Sequence, residues 1–280
     1  MWLSPTAIAS WHAKPSGRRG GQQKYSDVAI ETALTLGLMF HLPLRQTEGF
    51  VGSLFEIMNI HLQAPDHTTL SRRGQQLNVR LRPSMFSGSV HLVIDSSGLA
   101  IFGKGQWAAA KHGGKGMQGW KKLHLGVDQA GFIVAQVLTD SNVDDATTGV
   151  DIIGQVKRDI STVIGDAAYD TRPIYKAAKN RGAKVVVPPI KTAREGRPRS
   201  PERDRTARRV RKVGIRQWKK EAGYHRQGRT ENTFFRYKLI FGSRLRARGA
   251  NAQVVGARLA CKILKRLRDL GRPASVALGT

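Results

Sequence analysis

The amino-acid sequence predicts an α/β protein, a mixed five-stranded sheet flanked by helices, with a helical region in front of it. Three observations carry this. Helical periodicity over residues 25–82 gives way after Pro83-Ser84 to β-branched runs. Those runs follow the order strand, strand, strand, helix, strand, helix, strand. Acidic residues also gather there: residues 91–170 hold nine Asp, no Glu and seven Lys or Arg, a net of −2. The other 200 residues therefore carry +29 of a total of +27.

Each element has a local reason. Residues 1–24, with Ser16-Gly-Arg-Arg-Gly-Gly21, read as a flexible basic arm. Ser26 or Asp27 caps a helix with Ile30, Leu34 and Leu38 among its apolar positions. Pro43 opens a second, with Phe50, Leu54 and Ile57 on one stripe. After Pro65-Asp66 a short polar third segment, His67 to Arg73, carries Arg72 and Arg73. A short polar helix after two apolar ones suits a helix-turn-helix-like DNA-binding region over 25–82. An ordinary helical bundle packed on the next domain is the alternative.

Val90-His-Leu-Val-Ile-Asp95 is the first strand. Lys122 to Asp128 and Phe132 to Thr139 form a hairpin about Gln129-Ala-Gly131. Asp144-Asp145 caps a helix to about Arg158 that presents Val150, Ile153 and Val156. Thr162-Val-Ile-Gly-Asp166 is a strand ending on an acid. Pro173 then starts a helix that Gly182 stops, before Lys184-Val-Val-Val-Pro188. This is the order of a ribonuclease H-like fold, in which the first and fourth strands lie side by side. The first part of that domain covers 88–190. Residues 191–228 read as a basic, solvated linker with a helix near Arg203 to Lys212. Helices over 229–270 complete the domain.

A net charge of +27, from 47 Lys and Arg against 20 acids, points to a polyanionic partner. The single cysteine, Cys261, fits a reducing compartment. The longest apolar run, Val28 to Leu42, is too short to span a bilayer, and the N-terminus lacks a signal-peptide pattern. The eight His include no zinc spacing with Cys. Gly98 to Lys104 has phosphate-loop spacing, but Gly105 replaces the hydroxyl residue that such a loop needs. Lys111, Lys115, Lys121 and Lys122 suggest a DNA-facing loop. Trp107 and Trp120 suit either core or base stacking.

Asp95 and Asp166 each follow an apolar strand, and adjacent parallel strands would bring their carboxylates close together. Glu231 is the third candidate. At about 100° per residue it shares a stripe with Phe234, Phe235, Lys238 and Phe241, which predicts a carboxylate facing the sheet. A buried lone carboxylate is costly unless protonated, paired or bound to metal. Three such acids can hold two hard cations, with Mg²⁺ expected and Mn²⁺ as a substitute, for in-line phosphoryl transfer.

The stretch Tyr224-His-Arg-Gln-Gly-Arg-Thr-Glu231-Asn-Thr-Phe-Phe-Arg-Tyr-Lys238 resembles the DDE transposases of bacterial insertion elements. Their signature is Tyr, two residues, Arg, three residues, Glu, six residues, Lys. Tyr224, Glu231 and Lys238 fall on it. Gln227 stands at the Arg position, and the neighbouring Arg226 and Arg229 are the candidates to supply the cation. Val93-Ile-Asp95-Ser-Ser-Gly98, Trp120-Lys-Lys-Leu-His-Leu and Val163-Ile-Gly-Asp166-Ala-Ala-Tyr169-Asp170 are similar to the family's other blocks. The 65 residues from Asp166 to Glu231 leave no room for a large inserted domain.

The resemblance implies catalytic, metal-holding Asp95, Asp166 and Glu231. It also implies DNA contacts by Tyr224, Arg226, Arg229 and Lys238, to which the polar third helix adds Arg72 and Arg73 and the basic loop adds Lys121 and Lys122 as expected contacts. The expected partners are the element's ends and target DNA, handled by a homodimer or higher oligomer without a membrane, in the bacterial cytoplasm at the nucleoid. The expected activity is cleavage at terminal inverted repeats and strand transfer. The alternatives are a nuclease of the same fold that stops after hydrolysis, and a nucleic-acid-binding protein with a decayed site.

Overall fold

The computed structural model describes residues 4–17, 19–81, 88–101, 119–190 and 201–271. The sheet is built from β1 (Val90–Ile101), β2 (Trp120–Val127), β3 (Ile133–Asp140), β4 (Ile160–Ile164) and β5 (Lys184–Val186), in the spatial order β3-β2-β1-β4-β5. The first three strands pair antiparallel, and β1–β4 and β4–β5 are parallel. This mixed sheet is consistent with the expected ribonuclease H-like order. A short sixth strand, β6 (Arg244–Leu245), pairs in parallel with the far end of β1 through Ala100 and Ile101.

β1 runs past Asp95, so that residue lies mid-strand and does not end it. What ends near it is the β1–β4 pairing, whose last partners are Val93 and Ile164. Between that pair and β6, residues 94–99 have no strand neighbour on this edge among the described residues. The notch puts Asp95 on β1 next to the turn where Asp166 leaves β4.

Alternation separates the two faces. Val90, Leu92 and Ile94 pack with α5 (Asp145–Gln155) and α6 (Arg172–Asn180) in one core. Val93 and Leu99 point the other way, toward α7 (Pro201–Val213), α8 (Ile215–Glu221), α9 (Gly228–Phe241) and α10 (Ala250–Asp269). Asp95 alternates with Val93 and so belongs to the face these later helices cover.

Residues 201–227, expected as solvated linker, fold. Trp218 of α8 is buried against Val93, Ile164 and Val186. Glu202 accepts a hydrogen bond from the Val185 N–H at 3.1 Å. Arg203 grips the buried Asp170 through two bonds of 2.8 and 2.9 Å. The helix expected near Arg203 to Lys212 forms as α7, and the run is attached rather than solvated, through Glu202, Arg203 and Trp218.

In front of the sheet lie α1 (Pro5–Ala9), α2 (Asp27–Met39), α3 (Leu44–Ile57) and α4 (His67–Gly74). Ser26 and Asp66 cap α2 and α4 with their side chains, and Pro43 precedes α3. The axes of α2 and α3 differ by 107°. Two expectations change here. The arm is not free throughout, because Trp11 is fully buried, meets Phe55 edge-on at 5.0 Å, and donates its indole N–H to Gln63 O at 2.9 Å. And α3 buries Thr47, Val51 and Phe55, while Ile57 is 81% exposed. Phe50 and Leu54 of the expected stripe are partly buried against this core, which includes Trp11 some forty residues away, and Ile57 alone falls outside it.

This helical core also includes Val255 and Leu259 of α10, and Lys262 of α10 pairs with Glu31 of α2. The N-terminal helices and the end of the chain thus share one core. No helix among the described residues is long and apolar enough to cross a membrane.

Candidate active site

Four elements converge at the notch: β1 with Asp95, the turn after β4 with Asp166, a 3₁₀ turn over Tyr224–Gln227, and the first turn of α9 with Thr230 and Glu231. The Ser96 N–H donates to Asp95 Oδ1 at 2.8 Å, and the buried Thr230 hydroxyl lies against the same carboxyl. Asp166 caps its own short turn, accepting from the Ala168 N–H at 2.9 Å.

Burial pushes the Asp95 pKa up to about 6, and the charges of Asp166 and Glu231 add to the rise. Partial desolvation also raises Asp166, with Asp145 as a further negative neighbour. Tyr224 is half-buried and pushed up to about 12, first by burial and then by Asp166, Asp95 and Glu231. One phenol and three acids therefore share one electrostatic site. Among the described residues no three acids, His or Cys are drawn to metal-holding distance. The donor set nevertheless fits a hard divalent cation, because it is all oxygen and, at Asp95, the charged form is opposed by burial and by like charge.

Glu231 corrects a prediction. It is exposed, and α9 instead buries Thr230, Thr233, Phe234, Tyr237 and Phe241. Phe235, expected to face the core, is 66% exposed. From the exposed first turn of α9 its charge acts on Asp95 and Tyr224.

The proposed DNA-contacting cations divide. Lys121 pairs with Asp140 at 2.8 Å, and Lys122 with Asp145 at 3.1 Å and the Val143 carbonyl at 2.8 Å. Both side chains are largely covered, so they brace the β2–β3 hairpin and α5. Arg73 is likewise spent on the Tyr25 carbonyl and the Asp27 carboxylate. Arg72 and Arg229 are exposed, and Arg226 and Lys238 are partly so. Arg226 lies near His91, whose pKa is lowered by burial and by that positive charge. Lys111 and Lys115, with Trp107 and the end of the phosphate-loop-like run, lie outside the described residues. Gly98–Ile101 of that run is plain strand, and the exposed Trp120 covers Gly98.

One group, Thr230, escapes sequence reasoning; the Asp144-Asp145 pair reads from sequence as a helix cap, with a supporting role beside the metal site as the alternative. Thr230 carried no signal, being one unremarkable residue before Glu231. Asp144 is the expected cap of α5, accepting from the Thr147 N–H at 2.8 Å. Its neighbour Asp145 turns inward between Lys122 and His124 and acts on Asp166 and Tyr169. Tyr169 is buried under the site, packed so closely on Gly149 and Gly165 that a methyl group at either would clash.

The charge conflict gives a testable result. In the metal-free protein, moving a carboxyl from its ordinary 3.8 to about 6 costs roughly 3 kcal/mol at pH 7. The folded state holds the proton more tightly than the unfolded one, so this cost is absent below pH 4 and grows as pH rises through 6. Asp95→Asn, which keeps the acceptor for Ser96, should therefore unfold at higher temperature than wild type at pH 7 and at nearly the same temperature at pH 4. Thermal melts in chelator at both values check this. A variant destabilised at pH 7 would mean the carboxylate is already compensated.

Comparison with known families agrees with this geometry. Residues 86–264 match a family described as Transposase DDE domain, and residues 1–104 match a second family with the same description. The first match spans the sheet, the notch with its three acids, and most of α10, well over half of the chain, so the protein belongs to the DDE transposases.

Proposed function

We propose that this transposase cuts at the terminal inverted repeats of its own insertion element and joins the freed ends to target DNA. The observation that carries the reading is the meeting of Asp95, Asp166, Glu231 and Tyr224 at one break in the sheet edge. Asp95, Asp166 and Glu231 are the catalytic, metal-holding carboxylates. A divalent cation held by these carboxylates, Mg²⁺ by expectation, would supply charge stabilisation to the attacking and leaving oxygens of an in-line displacement.

The protein's own groups do the rest. Ser96 and Thr230 fix the Asp95 carboxyl. Tyr224, protonated at any physiological pH, offers a hydroxyl donor to a phosphate oxygen. Arg226, Arg229 and Lys238 hold the strand on either side. Water attacks phosphorus and the element's 3′-hydroxyl leaves; that hydroxyl then attacks a target phosphodiester and displaces a target 3′-oxygen, with no protein–DNA bond. The element's end is read by α4, through the exposed Arg72, with α2 and α3 as its support. Holding two ends requires at least two copies, acting at the bacterial nucleoid.

An assay on a labelled inverted-repeat end with Mg²⁺ or Mn²⁺ tests the reading. Cleavage at the terminus followed by joined product is expected. Hydrolysis without joining would leave a nuclease, and binding alone a decayed enzyme.

Lys238 distinguishes a positioned end from generic nicking. It lies two turns beyond Glu231, roughly 10 Å along the helix, and is only partly exposed. Lys238→Met keeps the stem and removes the charge. It should lower cleavage at the true terminus about ten-fold while random Mn²⁺-dependent nicking falls less. Equal loss of both with a lower melting temperature would make Lys238 a packing residue.

A further inference from the structure

Beyond Glu231, the outward arc of α9 has an unusual composition. Phe235 and Leu239, at one-turn intervals after Glu231, are 66% and 71% exposed. Arg229 and Arg236 lie along one side of this pair and Lys238 along the other, at about 100° per residue. Arg268 of α10 stands on the arginine side with its guanidinium over Phe132 at 5.1 Å. Burial, followed by the charges of Arg236 and Arg229, holds its pKa below the ordinary arginine range. The positive charges of Arg236 and Arg229 thus reach Arg268, only partly offset by Asp128, and an anion seated beside them would ease that repulsion.

We propose that this arc is a seat for single-stranded DNA, with one unpaired base lying on Phe235 and its flanking phosphates on Arg229, Arg236 and Arg268. The inference deepens the proposed function and rests on it for the identity of the strand. The chemistry selects the ligand. An exposed aromatic beside cations takes the π-face of a base and its phosphates together, whatever the sequence. In an intact duplex the base faces are already stacked, so only an unpaired nucleotide can use Phe235. Two exposed apolar side chains are far too few for a stable protein interface of roughly 1,200–2,000 Å². One turn from Glu231, the seat lies beside the proposed cleavage site, within reach of an unpaired nucleotide next to it.

The test uses the full chain in chelator, with a labelled eight-nucleotide oligothymidylate and a blunt duplex without the end sequence. Phe235→Ala should bind the oligothymidylate roughly ten-fold more weakly and the duplex within two-fold of wild type. Phe235→Trp should restore the single-strand affinity. Ile57→Ala, an equally exposed apolar residue on α3, should change neither. Melting temperatures check that the variants fold, which exposure at both positions predicts. Unchanged oligothymidylate binding by Phe235→Ala overturns the proposal, as does equal loss for both probes. A shift from dimer to monomer in sedimentation with single-strand affinity intact would make the arc a contact between copies instead. No metal, end sequence or cleavage enters these readouts, so a failure to cut inverted-repeat ends would overturn the proposed function and leave this result standing.

Discussion

Replacing Asp95 by Asn, Asp166 by Asn or Glu231 by Gln is expected to lower both end cleavage and strand joining by at least about 10³-fold. Each change removes one charged oxygen donor and leaves shape nearly unaltered. Binding to the end should persist, because phosphate contact depends on the basic side chains and the net charge rises by one from +27. The three variants should not behave alike in every respect. Asp95 is the most buried and should become more heat-stable without its charge, whereas Glu231 at the exposed rim should change stability little. Loss of activity together with gained or unchanged stability is the mark of a group held for chemistry. Any of the three retaining near-wild-type strand transfer in Mg²⁺ would remove that residue from the site.

Arg203→Ala is expected to cost about 3–5 kcal/mol of folding stability, the range for stripping the partner from a buried charge. The Asp170 side chain has no exposure. It accepts two bonds from Arg203, one from the Ile190 N–H at 3.0 Å and one from the Tyr175 hydroxyl at 3.4 Å. Without the guanidinium, its carboxylate keeps the burial and loses the compensation. Arg203→Lys should recover only part, since an ammonium cannot make the paired contact. Replacing both partners together, Asp170→Leu with Arg203→Met, should be milder than Arg203→Ala alone, because no charge is then stranded. Denaturant unfolding measures all three, and a cost under 1 kcal/mol for Arg203→Ala would show that α7 is not latched here. Cleavage should also fall, because α7 and α8 lead directly into the turn that carries Tyr224 and Glu231.

The packing of α2 and α4 with α10 bears on how end recognition can be tested. Removing residues 1–82 would strip Val255 and Leu259 of their neighbours and leave Lys262 without Glu31. Such a truncation measures folding. The exposed Arg72 is the better probe, and Arg72→Ala should reduce preference for the element's end over random DNA at fixed salt.

By itself the sequence determined what depends on neighbours within a turn or a strand. Ser26, one of the two offered caps, and Asp144 cap their helices, a helix starts after Pro65-Asp66 as expected, and β-branched runs became strands. The strand order placed Asp95 beside Asp166. These follow from bonds between residues two to four apart and from alternation, which any stretch of chain carries within itself. The tertiary structure alone decided which face of each helix is buried. The helical core with Trp11 buries Val51 and Phe55 most deeply, keeps Phe50 and Leu54 of the expected stripe partly buried against it, and leaves Ile57 outside. The sheet selected Phe234, Tyr237 and Phe241 and left Glu231 and Phe235 outside. The same holds for charge. Fifteen Lys and Arg in residues 191–229 read as solvated, yet Arg203 found a buried acid and Trp218 a sheet face. Lys121, Lys122 and Arg73 are positive in any reading, but whether a cation meets a phosphate or an Asp of its own chain is settled by the partner's position, set by pairings dozens of residues apart.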